Sequence, residues 1–321
     1  MRTIYADKDT KGQRIDKFLL KYMNNMPRSF LYKMLRKKNI KLNGKRAEGS
    51  EIINDGDKID IYIAEDKIGE FIKEEKIEKT GRDFSVIYED ENIIVCNKPT
   101  GLPVQGDDEH KKNSLNDQLI YYMYEKGEYN REEAKGGKPS ICNRLDRNTS
   151  GIVLFGKKFA ALQAINEALK ENGIDKFYMT FAKGNIENER EIKLYHRKEE
   201  NKKVRIEDSF FDGAKEIITK IKPIKKLKNA TLCEVKLITG KTHQIRAVFE
   251  YIGNPIIGEL KYGDEKNNRY YREKYGVKNQ LLHCYKVIFR DIGNDMEYMR
   301  GREFLAEMPY IMEKIVKGES I

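Results

Sequence analysis

Asp146 is the residue whose surroundings point most directly to chemistry. It lies between two arginines in the run Asn143-Arg144-Leu145-Asp146-Arg147-Asn148-Thr149-Ser150-Gly151. The chain then enters Ile152-Val153-Leu154-Phe155, an apolar segment that reads as a buried strand. A carboxylate on a tight turn feeding a sheet can be aimed rigidly, and neighbouring cations favour its ionised form. Such a group can act as a nucleophile or as a base, and the residues alone leave both routes open. An Asx-turn is the plainer use of an aspartate here, but a purely structural turn gains nothing from a cation on each side.

Three further stretches could supply partners. In Gly240-Lys241-Thr242-His243-Gln244-Ile245-Arg246, Thr242 is placed to cap a helix and Arg246 falls four residues into it, on the face of the cap. His243 reads as a structural hydrogen bonder in preference to a general base. Lys176-Phe177-Tyr178-Met179-Thr180-Phe181-Ala182-Lys183-Gly184 reads as a strand, with Tyr178, Thr180 and Ala182 on one face and Met179 and Phe181 on the other. An aromatic residue in a strand is ordinarily core. Leu281-Leu282-His283-Cys284 enters another strand. There is no phosphate-binding glycine loop, dinucleotide fingerprint or metal-spaced histidine set, so neither a cofactor nor a metal is expected. Glycoside hydrolysis needs two carboxylates facing one sugar, and only one well-placed acid is legible.

The elements that must hold these residues fall in two parts. Residues 1–64 carry 15 Lys/Arg against 8 Asp/Glu, which is most of the net charge of +10 on 321 residues. Clustered positive charge points to a polyanion, for which nucleic acid is the usual soluble case. After a short strand, Ile15, Phe18, Leu19 and Tyr22 share one helical face, with Arg14, Lys17 and Lys21 on another. Pro27-Arg28-Ser29 opens a second helix whose apolar positions are Phe30, Leu31, Met34 and Leu35, leaving Arg28, Lys33, Arg36, Lys37 and Lys38 mostly outside. Ile40-Lys41-Leu42 then reaches an Asn43-Gly44 turn signal, and residues 56–63 read as an alternating strand. Residues 65–82 are mixed in charge and suit a linker between a first domain, 1–64, and a second, 83–321.

In the second part, strands are expected at 84–90 and 93–97, then a Pro-Gly loop, Lys98-Pro99-Thr100-Gly101-Leu102-Pro103-Val104. Ser114 can cap the next helix, and 125–138 reads as a mobile loop. A core helix at 159–169 ends at Gly173. Hairpin strands follow over 190–230, with a lysine-rich loop at 222–228 as a second candidate nucleic-acid surface. The strand at 232–239 comes next, and 304–309 is expected to close the sheet's edge. No apolar run approaches the roughly 18 residues of a membrane span, and the N-terminus lacks the apolar core of a signal peptide. Four widely spaced cysteines read as reduced thiols, so a cytoplasmic protein is expected, with a monomer as the default state.

The run around Asp146 resembles the signature of the RluA-type pseudouridine synthases, with Arg-Leu-Asp followed by Thr-Ser-Gly. Asn143 and Asn148 stand where that family more often has His and Asp, and Gln105 also replaces a usual His. The Thr242–Arg246 segment is similar residue by residue. The resemblance covers roughly residues 12–63 and 84–310. It implies an α+β catalytic domain on a mixed, mostly antiparallel sheet with flanking helices, and a small N-terminal helix-and-hairpin RNA-binding domain of the alpha-L type. It also implies that Asp146 is the essential acid, that Arg246 pairs with it, and that the Pro-Gly loop lies beside the Asp146 turn. Tyr178 would then stack on the target uracil and be available to take its C5 proton, with Leu282 against the base and Arg144 or Arg147 filling the vacated stack.

The basic residues Arg14, Lys17, Arg28, Lys33, Arg36, Lys37, Lys38 and Lys41 would grip structured RNA through phosphates. The implied substrate is large-subunit ribosomal RNA, with transfer RNA second. The reading from another class is an RNA-binding or ribosome-assembly factor that kept the fold without the reaction. The joint presence of Asp146, Tyr178 and Arg246 speaks against it.

Overall fold

The computed structural model describes residues 1–7, 10–72, 77–106, 113–130, 138–199 and 204–320. The N-terminal elements are β1 (Arg2–Tyr5), α1 (Ile15–Tyr22), α2 (Arg28–Arg36), β2 (Ile40–Leu42), β3 (Lys45–Arg46), β4 (Lys58–Ile61) and α3 (Glu65–Phe71). The four strands form an antiparallel sheet in the order β1-β4-β2-β3. Helical spacing buries Ile15, Phe18 and Leu19 of α1 against Leu31, Met34 and Leu35 of α2 and the sheet. Asn43 and Gly44 both have positive φ (50° and 76°), the backbone of a two-residue hairpin turn that joins β2 to β3.

β4 alternates as expected: Ile59 and Ile61 join the core, while Asp60, on the other face, accepts a 2.7 Å hydrogen bond from the Thr3 hydroxyl. One expectation changes here. The stretch expected as a linker begins with α3, and Ile68 of that helix is fully buried in the core of the N-terminal elements. Residues 73–76 of the same stretch lie outside the described residues.

The second set of elements begins with β5 (Ser85–Glu89), β6 (Ile93–Lys98), α4 (Leu115–Glu125), β7 (Ser140–Ile141), β8 (Ser150–Gly156) and α5 (Phe159–Lys170). It continues with β9 (Ile174–Lys183), β10 (Arg190–Lys198), β11 (Val204–Glu207), β12 (Lys215–Lys226), β13 (Ala230–Leu237) and α6 (Gln244–Tyr251). The chain ends with α7 (Glu265–Tyr275), β14 (Leu282–Phe289), β15 (Glu303–Leu305) and α8 (Tyr310–Glu319). These strands build one sheet in the order β11-β10-β12-β13-β9-β14-β8-β6-β5, with β15 also on β14 and β7 also on β8. The β14–β8 pair is parallel and the other named pairs are antiparallel. The fold is thus α+β on a mixed, mostly antiparallel sheet.

Every residue of β8 is buried, which explains its uninterrupted apolar sequence. In β9 the alternation holds: Tyr178 and Ala182 enter the main core, whereas Phe181 and Met179 face a second cluster under α7 and α8. Ser114 caps α4 reciprocally with Asp117. Other details differ from expectation. The left-handed residue after α5 is Asn172 (φ 59°), and Gly173 is needed instead because a Cβ would collide with the Asp291 carbonyl. Residues Lys222–Lys226 are the bulged end of β12, not a loop. β15, as expected, closes an edge, pairing with β14 beyond the point where β8 leaves it, while β5 and β11 end the main strand order. Of the expected loop at 125–138, residues 131–137 lie outside the described residues. Among the described residues no helix is long and apolar enough to cross a membrane.

Gly151 sets the central register. It pairs with Lys98 on one side and with Cys284 on the other, at φ +112°, and any Cβ would fall on the Cys284 backbone. Gly151→Ala is expected to destabilise the protein by about 1–3 kcal/mol from backbone strain alone. A wild-type urea midpoint for that variant would refute the register argument.

Candidate active site

Asp146 stands on the turn between β7 and β8, closed by a 3.0 Å hydrogen bond from the Thr149 amide to the Asp146 carbonyl. Leu145 is buried in the core while Arg144 and Arg147 are exposed, so the turn points its acid toward solvent with the hydrophobic neighbour as anchor. Asn143, a departure from the usual pattern of the resembled family, has a structural use: its side chain accepts from the Leu154 amide (2.7 Å) and donates to the Ile152 carbonyl (3.3 Å). The Pro-Gly loop abuts this turn, since the Gly101 amide donates to the Arg147 carbonyl and Arg147 Nε donates to the Gly101 carbonyl, at 3.0 and 3.1 Å.

Lys98 ties the two loops from beneath. Its side chain is fully buried, and its Nζ donates to the carbonyls of Pro99, Leu102 and Arg147 at 2.9, 2.8 and 2.9 Å. Burial pulls this ammonium down to about 7, and the charge of Asp146 opposes that pull. Three N–H donors on one nitrogen exist only in the protonated form, so the carbonyl cage favours the cation.

Arg246 reaches Asp146 from α6, a hundred residues away in sequence. Its Nη1 donates to Asp146 Oδ2 at 2.7 Å. The helix start differs from expectation. Its first cap residue is His243, in the left-handed region at φ 54°, and no side chain caps it, so Thr242 does not. The Gln244 side chain organises the entry instead, accepting from the Lys241 amide and donating to Thr219 Oγ1. Arg246 is consequently the third residue of the helix. His243 Nδ1 is 3.0 Å from the Tyr262 hydroxyl, and its Nε2 is 3.9 Å from Asp146 Oδ2. Burial, with Arg246 and Lys261 nearby, lowers this histidine below its ordinary 6.5 even though Asp146 pulls the other way, so it is neutral at pH 7.

A second acid, not anticipated from the sequence, completes the group. Glu259 accepts from Arg246 Nε (2.6 Å) and Nη2 (2.8 Å), and also from the Lys261 amide (2.8 Å). Burial alone would raise its pKa, but the Arg246 bonds and charge and the backbone amides of Lys261 and Tyr262 bring it below the ordinary carboxylate value. Side-chain exposure falls from 31% at Asp146 to 11% at Arg246 and 0% at Glu259. Only the Asp146 end of this chain of charges can therefore meet a substrate.

Tyr178 and Leu282 lie on adjacent strands. Tyr178 pairs with Cys284 and Leu282 with Thr180 in the β9–β14 ladder, which puts the Tyr178 and Leu282 side chains on one face. Tyr178 is 6% exposed and Leu282 5%. Burial, together with the neighbouring Cys284 and Asp146, pushes the Tyr178 hydroxyl well above its ordinary value, so the phenol keeps its proton. Near this site the sequence reading missed Lys98, Glu259 and Tyr262. Gly258 and Gly263, whose added Cβ atoms would strike the backbone of Asn279 and Glu259 respectively, were the available sign that 258–263 is a tightly constrained turn.

The expected phosphate-contacting residues lie apart from this site, on α1, α2 and β2. Lys17, Arg28, Lys33, Arg36, Lys37 and Lys38 are exposed. Arg14 is paired with the buried Asp16, and Lys41 lies over the Tyr62 ring. Ser29, Tyr32, Arg36 and Arg46 contribute to an open cleft of about 390 Å³ beside α2.

The molecule is thus an α+β protein with a charged turn at the centre of a mostly antiparallel sheet. Residues 92–251 match the RNA pseudouridylate synthase family. The chain is 30% identical to ribosomal large subunit pseudouridine synthase C of Vibrio parahaemolyticus, over 97% of this chain and 94% of that protein. It is 31% identical to the protein of the same name from Escherichia coli, over 91% and 89%. An uncharacterised RNA pseudouridine synthase of Mycoplasma genitalium is 31% identical over 88% and 87%. Among solved structures, human RNA pseudouridylate synthase domain containing 4 has the same fold, with a TM-score of 0.57 at 19% identity, covering 72% of this chain and 91% of that one. The chain belongs to the RNA pseudouridine synthase family, isomerases that convert uridine to pseudouridine.

Because His243 is neutral and engaged with Tyr262, His243→Gln is expected to retain activity within about tenfold of wild type, the scale of one lost hydrogen bond. Loss of all turnover in a folded His243→Gln protein would show that the imidazole takes part in proton transfer.

Proposed function

We propose that this chain isomerises uridines of large-subunit ribosomal RNA, with Asp146 as the group that acts on the nucleoside. The observation that carries the reading is the graded chain Asp146–Arg246–Glu259, in which a carboxylate held beside a guanidinium presents its exposed end next to an apolar face. In the reaction the bond from ribose C1′ to uracil N1 breaks, the uracil turns, and C5 bonds to C1′. N1 then carries a proton, and the proton once on C5 leaves. There is no change of oxidation state. Asp146 serves either as the nucleophile at C1′ or as the base at the adjacent ribose carbon.

The target base must leave its stack, at a cost of a few kcal/mol. Tyr178 and Leu282 supply the apolar face for the extruded ring. Tyr178 acts through its ring in this reading, because burial disfavours the phenolate that a proton acceptor would have to be. Arg147 is engaged with the Gly101 carbonyl, whereas Arg144 is exposed, so Arg144 is the better candidate to occupy the vacated stack. The ribosomal RNA substrate is supported by the names of the Vibrio and Escherichia relatives. A monomer working in the cytoplasm is the simplest setting, and four unpaired thiols suit a reducing compartment.

The test uses a large-subunit ribosomal RNA transcript labelled with tritium at uracil C5. Wild type is expected to release tritium and Asp146→Asn to release none. Absence of release by the intact enzyme on this RNA would overturn the proposal.

We further infer that the N-terminal unit, taken as residues 1–72 because Ile68 of α3 belongs to its core, grips RNA through α1, α2 and β2. The exposed cations of α2 and its C-terminal end carry most of that grip. Replacing Arg28, Lys33, Arg36 and Lys37 together with Gln is expected to flatten the plot of log affinity against log salt by about 3, since each phosphate contact contributes about 0.7–0.9. An unchanged slope would remove this surface from the RNA interface.

A further inference from the structure

Glu259 is not required by the chemistry just described, yet it is held tightly behind Arg246. Its side chain is 0% exposed. One oxygen, Oε2, accepts from Arg246 Nε, while Oε1 accepts from both Arg246 Nη2 and the Lys261 amide. The turn that carries it is fixed at both ends, because Gly258 and Gly263 sit where any side chain would strike backbone. The Asn268 side chain also ties the turn to α7, donating to the Glu259 carbonyl (2.7 Å) and accepting from the Gly258 amide (2.7 Å). Tyr262, from the same turn, lies under the Arg246 guanidinium at 5.4 Å and contacts His243.

We propose that Glu259 is a positioning residue that holds Arg246 by one edge of its guanidinium, so that Arg246 offers Asp146 a single end-on hydrogen bond. The physical argument is one of competition between acids for a fork. A free arginine beside a carboxylate tends to close a bidentate pair that occupies both carboxylate oxygens. Here the Nε–Nη2 edge is committed to Glu259, and only Nη1 is recorded on Asp146, at Oδ2. Asp146 Oδ1 is thereby left to face the ribose. Because Glu259 already balances the guanidinium, the three groups together carry one negative charge, and its exposed end is Asp146. The acid is oriented without being locked into a closed ion pair.

This inference rests on the reading of Asp146 as the reacting acid, and the experiment separates the two. Single-turnover and steady-state kinetics are measured on the tritiated large-subunit ribosomal RNA transcript for wild type, Glu259→Gln and Glu259→Asp, alongside RNA affinity and thermal midpoints. Gln keeps the size of Glu259 but loses its charge and turns an N–H toward the arginine. It is expected to lower kcat by on the order of 100-fold, the scale of a small misplacement of a reacting group, with KM and RNA affinity within about twofold of wild type. Asp keeps the charge at a shorter reach and is expected to turn over faster than Gln while staying severalfold below the wild-type kcat.

The inference is overturned if Glu259→Gln turns over at the wild-type rate, or if its loss appears in KM and RNA affinity instead of kcat. It also fails if Glu259→Asp is folded and no better than Gln. Should Glu259→Gln fail to fold, Glu259→Asp decides the matter, with a wild-type kcat and KM pattern counting against the proposal and a selective fall in kcat supporting it. If wild type itself releases no tritium, the fault lies with the function proposed for the site and not with Glu259 alone.

Discussion

One guanidinium shared between two carboxylates is the interaction on which the rest of this site depends. Arg246 is 11% exposed, and a cation so placed would be costly without partners. Its planar fork of five N–H donors allows it to satisfy two acids at once, which an ammonium on a flexible stem could not do with the same geometry. Glu259 takes one edge and Asp146 one end. The three residues come from the turn before β8, the start of α6 and the 258–263 turn, so the ion pair network is also a tertiary clamp. Losing either acid would leave a largely buried arginine with half its partners.

The sheet explains how so long a separation in sequence closes accurately. β8 is packed between β6 and β14, and the parallel contact to β14 exists only because Gly151 lets the two backbones approach. The turn carrying Asp146 is thus the N-terminal end of the most deeply buried strand. Lys98, at the end of β6, fastens the same turn through the Arg147 carbonyl and the neighbouring loop through those of Pro99 and Leu102. A buried ammonium whose acceptors are all backbone carbonyls fixes loop conformation without offering a competing side chain to Asp146. Loops that carry reacting groups are ordinarily the softer parts of a fold, and these two are braced internally.

Features with a short-range physical signature were legible in the sequence. The apolar stripe of α2, the Asn43-Gly44 hairpin, the Ser114 cap and the two-faced alternation of β9 all follow from local spacing, and each is present. Features whose cause lies elsewhere in the chain were not. Glu259 sits in no periodic pattern, and its partner is thirteen residues away across a helix and a turn. The start of α6 was misplaced because Thr242 has the right residue type for a cap while the backbone turns through a left-handed His243. Helix α7 has the sequence Glu-Lys-Asn-Asn-Arg-Tyr-Tyr-Arg-Glu-Lys-Tyr, and it buries Tyr271 and Tyr275 without any aliphatic stripe. Helix α3 was hidden by its charges, with Ile68 alone fully buried. The Arg246–Asp146 contact came from family resemblance, since nothing in local spacing could bring those positions together.

The second acid also bears on why such a site would isomerise a nucleoside without hydrolysing it. Cleavage of a glycosidic bond by water uses two carboxylates around one sugar, one to protonate the leaving group and the other to activate water or form the covalent intermediate. Two carboxylates are present here, but they are not equivalent. Glu259 is sealed from solvent with both oxygens engaged, and Arg246 stands between it and Asp146. His243, whose Nε2 lies 3.9 Å from Asp146 Oδ2, is neutral at pH 7 and is tied to Tyr262. On the proposed reading, the uracil released from C1′ therefore lies against Tyr178 and Leu282, with Asp146 on the ribose and, among the described residues, Glu259 closed off from water. Recombination through C5 is then favoured because the detached base is held on an apolar face beside the carbon it left.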